Sequence, residues 1–383
     1  MKILLLGEYS GLHNSLKKGL EHLGHEVTLV GTGDMFKKFP VDECIKAKWF
    51  TERPIPLFIR KAFLRIFRKD PAQWEIGFRF KKLLPKLKNY DVVQLINSHS
   101  IGTYPNFEIN LLKKLFDQNG KVFLMGCGDD YPVVKYLIDG KMRYHMLTPY
   151  FEKGSKMKAD FSLKYVTEPY KKLFDFVYKK AEAIIPSDID YKIPWQDWQK
   201  AVALIPNPII ISENYAPLNI ENRKIRILFG INTINYSKKG YRFFDEALNS
   251  IEKKYPHLVE IRRTENLPFN LYVKELELCD ILMDNVYAFD QGYNALEAMA
   301  KGKVVFTGAE SEFLEHYNLK EDEVCINALP DVDYLIEKIS WLIENSLEIK
   351  KIGQNAQKFI EREHAYKKIA AKYLEIYAIE SKL

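Results

Sequence analysis

The chain has 383 residues and a formal net charge of +6, with 47% hydrophobic and 28% charged residues. This balance is typical of a soluble globular protein and excludes disordered and membrane-spanning chains. Because the length exceeds the usual size of one hydrophobic core, we expect two domains.

The cysteines and the N-terminal segment favour a cytoplasmic protein. Four cysteines lie far apart along the chain, at Cys44, Cys127, Cys279 and Cys325. Because none of them forms a C-x-x-C pair, we expect neither a disulfide framework nor a zinc site, and a reducing compartment fits best. The apolar run that begins at Lys2 ends at Glu8 without a small-residue cleavage site, which predicts a first strand and no signal peptide. No apolar stretch approaches the roughly 20 residues that span a bilayer, so we expect no integral membrane segment.

The first half of the chain alternates predicted strands and helices. A strand at 2–6 is followed by a glycine-containing loop, by a helix from about Ser15 that ends at Gly24, and by a second strand at 27–30. A later helix is predicted at 107–117, and later strands at 91–96, 121–125, 183–186 and 202–205. This alternation predicts a parallel, doubly wound sheet.

The second half repeats the pattern after a boundary at 205–208, which reads Ile-Pro-Asn-Pro. Strands are predicted at 226–229, 259–262, 281–283 and 304–306, and helices at 241–254, 271–278 and 294–301. From Val332 the chain is predicted to be helical. Ligands of such sheets bind at the carboxyl ends of the strands, so we expect the site in the cleft between the two halves.

The segment from Asp280 to Val305 carries the strongest functional signal. Gly292 allows the backbone to approach a ligand, and Asn294 is placed to cap a helix. The free N–H groups at the start of such a helix suit a diphosphate. Glu297, one turn further, can accept hydrogen bonds from ribose hydroxyls. The alternative, which is the more common one on spacing alone, is a capped helix with a solvated Glu297.

This stretch resembles the donor-binding signature of family 4 glycosyltransferases and related GT-B enzymes, in which a glycine-containing loop leads into a Glu-Ala-Met-Ala-x-Gly helix. Those enzymes have two glutamates separated by seven residues. The second holds the nucleotide ribose, and the first lies near the sugar and phosphate. Glu297 matches the second glutamate, whereas the first falls on Phe289. Asp290, one residue later, is the candidate to replace it.

The resemblance extends over most of the chain. Residues 7–11 look like the family's first glycine loop, which implies acceptor-side roles for Gly7, Gly11 and His13. The 205–208 segment is similar to the family's interdomain turn. Residues 229–240 resemble an element whose cations hold the donor phosphates, with Gly230 and Lys239 at the matching positions.

The donor site that this resemblance implies contains further residues. The arginine expected after Gly230 is Ile231, so Lys238 and Arg263 are the candidates to compensate. Within the 280–305 segment, the resemblance also implies that Tyr293 binds the donor. A solvated turn is the alternative for Lys238 and Lys239.

Polar residues follow two strands of the first half. His99 comes near the position where the family often places a histidine beside the reacting sugar, and a structural role is the alternative. Asp129 and Asp130 follow the next strand. Of these two acids, we take Asp129 as the candidate to bind or deprotonate an acceptor hydroxyl. The alternative is a solvated side chain, which is more common for acids in loops.

Two further motifs have better structural interpretations. Asp188-Ile189-Asp190 has the Asp-x-Asp form of metal-dependent glycosyltransferases, but those have a different fold, and we expect a surface turn. Gly126-Cys127-Gly128 lacks the third glycine and the later acid of a dinucleotide fingerprint, which argues against a dehydrogenase.

The region 37–88 contains fifteen Lys/Arg and five Asp/Glu, a local net charge of 15 − 5 = +10. Within it, helical spacing over 55–69 separates two faces. The basic face contains Arg60, Lys61, Arg65, Arg68 and Lys69, and the apolar face contains Ile59, Ala62, Phe63, Ile66 and Phe67. Such a helix can lie in a membrane interface with its basic side on anionic lipid, and a packed surface helix is the alternative.

These features predict an α/β protein of the GT-B fold, with two Rossmann-like, doubly wound parallel-sheet domains that face each other across a cleft. We expect an N-terminal domain at 1–208, a nucleotide-sugar-binding domain at 209–364, and a C-terminal helix at 365–383. As the resemblance implies, that helix packs back on the first domain, and Ile369, Tyr373 and Ile376 form its apolar stripe.

The function expected is transfer of a sugar, of the hexosyltransferase type, from a nucleotide-sugar co-substrate such as a UDP- or GDP-sugar. The acceptor is a glycan, a lipid-linked molecule or a polysaccharide, and we expect no cofactor, metal or nucleic acid. The resemblance implies retention of configuration. A cytoplasmic location, peripheral at the inner face of a membrane, is consistent with the basic region. The alternatives are a sugar-nucleotide epimerase of the same fold and a catalytically silent nucleotide- or sugar-binding protein.

Overall fold

The protein folds into two α/β lobes in a computed structural model that describes residues 1–34, 39–211, 220 and 223–378. Within these residues, the first sheet has six parallel strands in the order β3-β2-β1-β4-β5-β6. They are β1 (Lys2–Leu6), β2 (Glu26–Gly31), β3 (Glu43–Cys44), β4 (Val92–Leu95), β5 (Lys121–Gly126) and β6 (Ala183–Pro186).

Ten helices belong to the described part of this lobe. They are α1 (Leu12–His22), α2 (Trp49–Glu52), α3 (Pro54–Phe67), α4 (Pro71–Leu83), α5 (Pro105–Asp117), α6 (Tyr131–Ile138), α7 (Thr148–Phe151), α8 (Asp160–Leu163), α9 (Glu168–Lys180) and α10 (Ile189–Trp195). The strand expected at 202–205 is wrong. Val202 donates its N–H to the Ile184 carbonyl oxygen, but the pairing beside β6 is an isolated bridge between Ile184 and Ala201.

In the part of the chain that the structure describes, the second sheet has five parallel strands in the order β11-β10-β9-β7-β8. They are β7 (Ile225–Ile231), β8 (Val259–Glu265), β9 (Ile281–Met283), β10 (Val304–Thr307) and β11 (Ile326–Asn327). Its helices are α11 (Tyr241–Lys254), α12 (Phe269–Leu278), α13 (Tyr293–Ala300), α14 (Ser311–Tyr317), α15 (Val332–Glu344) and α16 (Ser346–Phe359). The two parallel, doubly wound sheets predicted from the sequence are therefore confirmed.

The last helix, α17 (Tyr366–Tyr377), follows a π-helical turn at Ile360–His364 and lies against the first lobe. Ile369 and Tyr373 are fully buried in a core cluster with residues of β1, α1 and β5. Gly19 of α1 lies at the closest approach, because a Cβ there would come within 2.5 Å of the Tyr366 carbonyl oxygen. Helices α1 and α17 thus pack together on one face of the first sheet.

Among the described residues, every helix is too short or too polar to span a bilayer.

Candidate functional site

The strand orders determine where each sheet can bind a ligand. In a doubly wound sheet, the crevice lies at the carboxyl ends of the two neighbouring strands whose connections leave in opposite directions. That point lies between β1 and β4 in the first sheet and between β7 and β9 in the second. The segments that follow these four strands therefore define the candidate site.

Gly7 and Gly11 shape the loop after β1. Gly7 has φ +89°, and a Cβ on it would lie 2.2 Å from Ile96 Cγ2, so only glycine fits between β1 and the end of β4. Gly11, also at positive φ, is the residue that precedes α1. The two glycines predicted from the sequence therefore have clear backbone roles.

Glu8 occupies the start of α1. Its carboxylate accepts N–H bonds from Gly11 and Asn14, each at 2.9 Å, and a third bond from Asn14 Nδ2 at 2.6 Å. Burial raises the pKa of Glu8 to about 7 against these bonds, which favour the charged form. The sequence interpretation gave Glu8 no role in the site, although an acid just before a helix start is a recognisable signal.

The His13 side chain holds the glycine loop through a contact with the Gly7 backbone. It is fully buried, and its Nδ1 lies 2.7 Å from the Gly7 carbonyl oxygen. Burial lowers the pKa of His13 to about 4, so the imidazole is neutral near pH 7. This arrangement gives His13 a role in holding the loop.

Asn97 connects the loops that follow β1, β4 and β5. Its Nδ2 donates to Tyr9 Oη at 3.0 Å and to the Asp129 carbonyl oxygen at 3.2 Å. Its Oδ1 accepts the N–H of His99 at 3.1 Å. The two candidate catalytic residues, His99 and Asp129, are therefore brought to one end of the first sheet.

The ring of His99 is held from several sides. Its Nδ1 lies 2.9 Å from Glu108 Oε2, and its edge contacts the rings of Tyr165 and Tyr170. Glu108 is itself buried and accepts the N–H of Ile101 at 2.9 Å. Because Nδ1 lies beside Glu108, Nε2 is the ring nitrogen left to contact a ligand.

Asp129 and Asp130 have separate roles. Asp130 caps α6 and accepts two bonds from Ser98, so it fixes the loop after β4. Asp129 Oδ2 accepts a hydrogen bond from Ser162 Oγ at 2.6 Å. The other oxygen, Oδ1, is buried and has no hydrogen-bond partner in the described part of the chain. Lys238 of the second lobe donates to the same Ser162 oxygen at 3.1 Å. Asp129 is thus the acid with acceptor capacity left for a ligand.

Asp284 organises the corresponding point of the second sheet. This acid follows β9, is 2% exposed, and accepts Lys239 Nζ at 2.9 Å and Asn294 Nδ2 at 2.8 Å. Burial opposes the charge on Lys239, but the Asp284 carboxylate outweighs it, and the pKa of Lys239 lies above its ordinary value. Asp284 was missed from the sequence, although its place after a buried strand is the signal that was used for Asp129.

The helix cap expected at Asn294 is wrong. The residue that precedes α13 is Gly292, and Asn294 lies inside the helix with its amide turned to Asp284. Tyr272 Oη donates to Asn294 Oδ1 at 2.7 Å. Gly230 is needed for this contact, because a Cβ there would lie 2.6 Å from the Tyr272 ring.

Arg263 is not brought to this group. Its guanidinium donates to Glu252 at 3.1 Å and to Asn249 at 3.0 Å, both on α11. Because these partners lie on the helix that covers one face of the sheet, the proposed compensation for the absent arginine is wrong for Arg263.

The start of α13 lines a cavity between the lobes. Gly292 is exposed, with open space where a Cβ would stand, and Tyr293 Oη donates to the Pro208 carbonyl oxygen at 2.9 Å. A cavity of about 530 Å³ is lined by Glu297 and Tyr293 from the second lobe and by Gly11 and Lys17 from the first. Glu297 therefore lines a space that residues of both lobes border.

The position of the first family glutamate is turned away from this space. Phe289 is buried, and the Arg143 guanidinium of the first lobe lies 4.5 Å from its ring centroid. Asp290 accepts the Ile189 N–H at 2.9 Å, while Asp190 accepts the N–H of Phe289 and of Asp290 at 3.0–3.1 Å. Asp290 thus joins the two lobes.

The surface turn expected at Asp188-Ile189-Asp190 is also wrong. Asp188 caps α10, and Asp190 lies in the contact between the lobes. Burial raises the pKa of Asp190 and of Asp290 above the ordinary value of an aspartate. The Asp-x-Asp pattern here is a structural element of the lobe contact.

Comparison with solved structures gives the same architecture. A sucrose-phosphate synthase from Thermosynechococcus elongatus superposes with a TM-score of 0.61 at 12% identity, over 98% of both chains. Anabaena HepE in complex with UDP-glucose gives a TM-score of 0.57 at 12% identity, over 98% of this chain and 99% of that one. The chain has the GT-B fold.

The sequence comparison agrees for the second lobe. Residues 238–375 match a family described as glycosyl transferase-like, and this range contains Lys238, Lys239 and the segment around Glu297. No curated protein matches the sequence. The resemblance to GT-B glycosyltransferases drawn from the residues is therefore confirmed.

Proposed function

We propose that this GT-B protein transfers a sugar from a nucleotide-sugar donor to an acceptor. The observation that carries the proposal is the cavity of about 530 Å³ that Glu297 and Tyr293 share with Gly11 of the opposite lobe. Its size lies within the roughly 300–1,000 Å³ of small-molecule sites. The glycosyl transferase-like match over 238–375 and the UDP-glucose in the HepE structure support a nucleotide sugar, such as a UDP- or GDP-sugar.

The second lobe holds the donor in this proposal. Glu297 accepts hydrogen bonds from the ribose hydroxyls, and the exposed backbone at Gly292 allows the diphosphate to approach the start of α13. Lys238 and Lys239 supply positive charge nearby. The transfer is metal-independent and retaining, and it depends on stabilising the negative charge that develops on the departing diphosphate.

The first lobe receives the acceptor. Asp129 Oδ1 is a buried carboxylate oxygen with unused acceptor capacity, and it suits a glycan or lipid-linked hydroxyl. His99 contributes Nε2 to the same end of the sheet. Ser162 accepts a hydrogen bond from Lys238 of the second lobe and donates one to Asp129. Closure of the lobes therefore also orders Asp129, the acid that contacts the acceptor.

A catalytically silent nucleotide-binding protein is the second candidate. Two observations favour it: Phe289 stands buried where the family has its first glutamate, and the charge of Lys239 is already paired with Asp284. Binding alone therefore does not distinguish the two candidates, whereas donor turnover does.

The donor site is tested first by ligand binding. A thermal-shift screen of nucleoside diphosphates and nucleotide sugars should identify a ligand, because one present at about 100 times its dissociation constant stabilises the fold by about 2.7 kcal/mol. Glu297→Ala should then weaken the affinity of the best nucleotide by about 10- to 150-fold, since a hydrogen bond to a charged group is worth roughly 1.5–3 kcal/mol.

Calorimetry of wild type, Glu297→Ala and the control Glu337→Ala measures this effect. Glu337 is an exposed glutamate on α15, so its removal should leave the affinity unchanged. Equal affinities in all three proteins, at equal melting temperatures without ligand, would overturn the ribose assignment.

A further inference from the structure

Helix α3 presents an apolar face to solvent. Ile55 and Phe58 are each 74% exposed, Ile66 is 70% exposed, and Ile59 is half exposed. Helical spacing places these four side chains on one side, which we call the outer face of α3. A contiguous apolar face of this kind on a soluble protein indicates an interaction surface.

The opposite side of α3 is fixed to the protein. Pro56 is buried, and the Phe63 ring lies 5.8 Å from the Trp74 ring on α4. Arg60 forms two bonds with Asp70, at 2.8 and 2.6 Å. The helix is therefore anchored from within, and its outer face is displayed by a supported element.

Positive charge accompanies the outer face. Lys61 and Arg65 are exposed, and Arg68 and Lys69 follow at the end of the helix. The region 37–88 has a net charge of 15 − 5 = +10. The sequence interpretation placed Arg60 on the lipid-facing side, but its pair with Asp70 directs it inward.

Aromatic residues extend the surface beside α3. A groove of about 750 Å³ is lined by Trp49, Phe50, Trp74 and Phe78, with Arg79 and Lys82 among the polar residues at its edge. Trp49 and Phe78 are themselves about half exposed, at 49% and 60%. Aromatic rings next to cationic side chains are typical of protein surfaces at the headgroup level of a bilayer.

We propose that the outer face of α3, with the groove beside it, docks the first lobe on an anionic lipid bilayer. The helix lies parallel to the membrane, its apolar side chains enter the headgroup boundary, and Lys61 and Arg65 meet lipid phosphates. A second copy of the chain is a poorer occupant, because two surfaces of the same strong positive charge repel each other. This proposal is independent of the donor site.

Vesicle co-sedimentation tests the docking with two variants of the full chain. The first is Phe58→Ser/Ile59→Ser/Ile66→Ser, and the second is Lys61→Gln/Arg65→Gln. Wild type should bind mixed phosphatidylcholine and phosphatidylglycerol vesicles and bind pure phosphatidylcholine weakly. The charge variant should lose about 30-fold in partition onto the anionic vesicles, and the apolar variant more than about 100-fold.

Matched controls separate this surface from general stickiness. Leu278→Ser/Leu347→Ser removes exposed apolar side chains from the second lobe, and Lys113→Gln/Lys114→Gln removes exposed charges from α5. Both controls should bind vesicles like wild type. All variants should keep the wild-type melting temperature and nucleotide affinity, so a failed docking test is distinguishable from a failed donor site.

Three results would overturn the proposal. The first is equal vesicle binding by wild type and the apolar variant, and the second is equal binding of wild type to both lipid compositions. The third is a wild-type dimer in light scattering that the apolar variant converts to a monomer, which would assign the surface to a second copy.

Discussion

Lys239 lies in a partly buried ion pair, and this pairing determines what its removal should do. Asp284 is 2% exposed, whereas the Lys239 side chain is 28% exposed. Taking away the cation leaves a buried carboxylate whose remaining side-chain donors among the described residues, Asn294 and Thr307, are neutral. The stability of the second lobe therefore depends on the residue that is also the candidate phosphate ligand.

We expect Lys239→Met to lower the free energy of unfolding by about 3 kcal/mol, at the lower end for a broken buried pair because the lysine is partly exposed. The double variant Lys239→Met/Asp284→Asn should recover most of this loss, since no unpaired charge remains. Urea unfolding of the two variants and wild type measures both changes. A single variant as stable as wild type would contradict the description of the pair.

In the folded double variant, the role of Lys239 in the donor site becomes measurable. Its affinity for a nucleoside diphosphate should fall more than its affinity for the bare nucleoside, because only the former carries the charge that Lys239 attracts.

Sequence patterns placed residues on helices and strands more reliably than they identified the hydrogen-bond partners of the side chains. The place of Glu297 on a helix followed from its spacing, and the helix was found to within one residue. The predicted helix cap at Asn294 and the predicted phosphate contact of Arg263 were wrong. Both side chains bind partners that only the tertiary structure brings near them. Ser162 illustrates the same limit, since its partners come from two distant segments.

At the level of elements, strongly periodic or strongly apolar segments were predictable. Helix α11 and strands β6 and β9 have the bounds read from the sequence. The short helices α2, α7, α8 and α10 were not predicted, because segments of four to seven residues are too short to show a helical apolar period. The 13-residue helices α4 and α9 were also not predicted. Asp188, the cap of α10, belongs to this unpredicted part.

The contact of α1 with α17 gives a prediction for Gly19. In an isolated helix, alanine is more favourable than glycine by about 1 kcal/mol. Here a Cβ would meet the Tyr366 carbonyl oxygen at 2.5 Å and Ala370 Cβ at 2.6 Å, so α17 has to shift. We expect Gly19→Ala to destabilise the protein by about 1–3 kcal/mol.

Thermal or urea unfolding of Gly19→Ala checks this value against His22→Ala. His22 is exposed on the same helix, so its replacement should change stability by less than about 0.5 kcal/mol. A Gly19 variant more stable than wild type would show that the two helices do not approach as described.

At the level of the whole molecule, the two lobes are held together by specific polar contacts. Arg143 pairs with Glu310 and Glu312 at 2.7 Å, and Tyr144 also donates to Glu310. The carboxylates of Asp190 and Asp290 each accept a hydrogen bond from a backbone N–H of the opposite lobe. Most of these partners are more than 100 residues apart in the chain, which is why the sequence indicated a cleft but not the contacts that join its two sides.

The contacts between the lobes leave the cavity at Glu297, and we propose that a nucleotide sugar reacts there. The most direct measurement is the rate of nucleoside diphosphate release from the best-binding nucleotide sugar, with glycan acceptors and with anionic vesicles that contain lipid acceptors. We predict release by the wild type, slower by about 10- to 150-fold in Glu297→Ala at sub-saturating donor. Tight donor binding by the wild type without release under any of these conditions would contradict the claim and establish a silent binding protein.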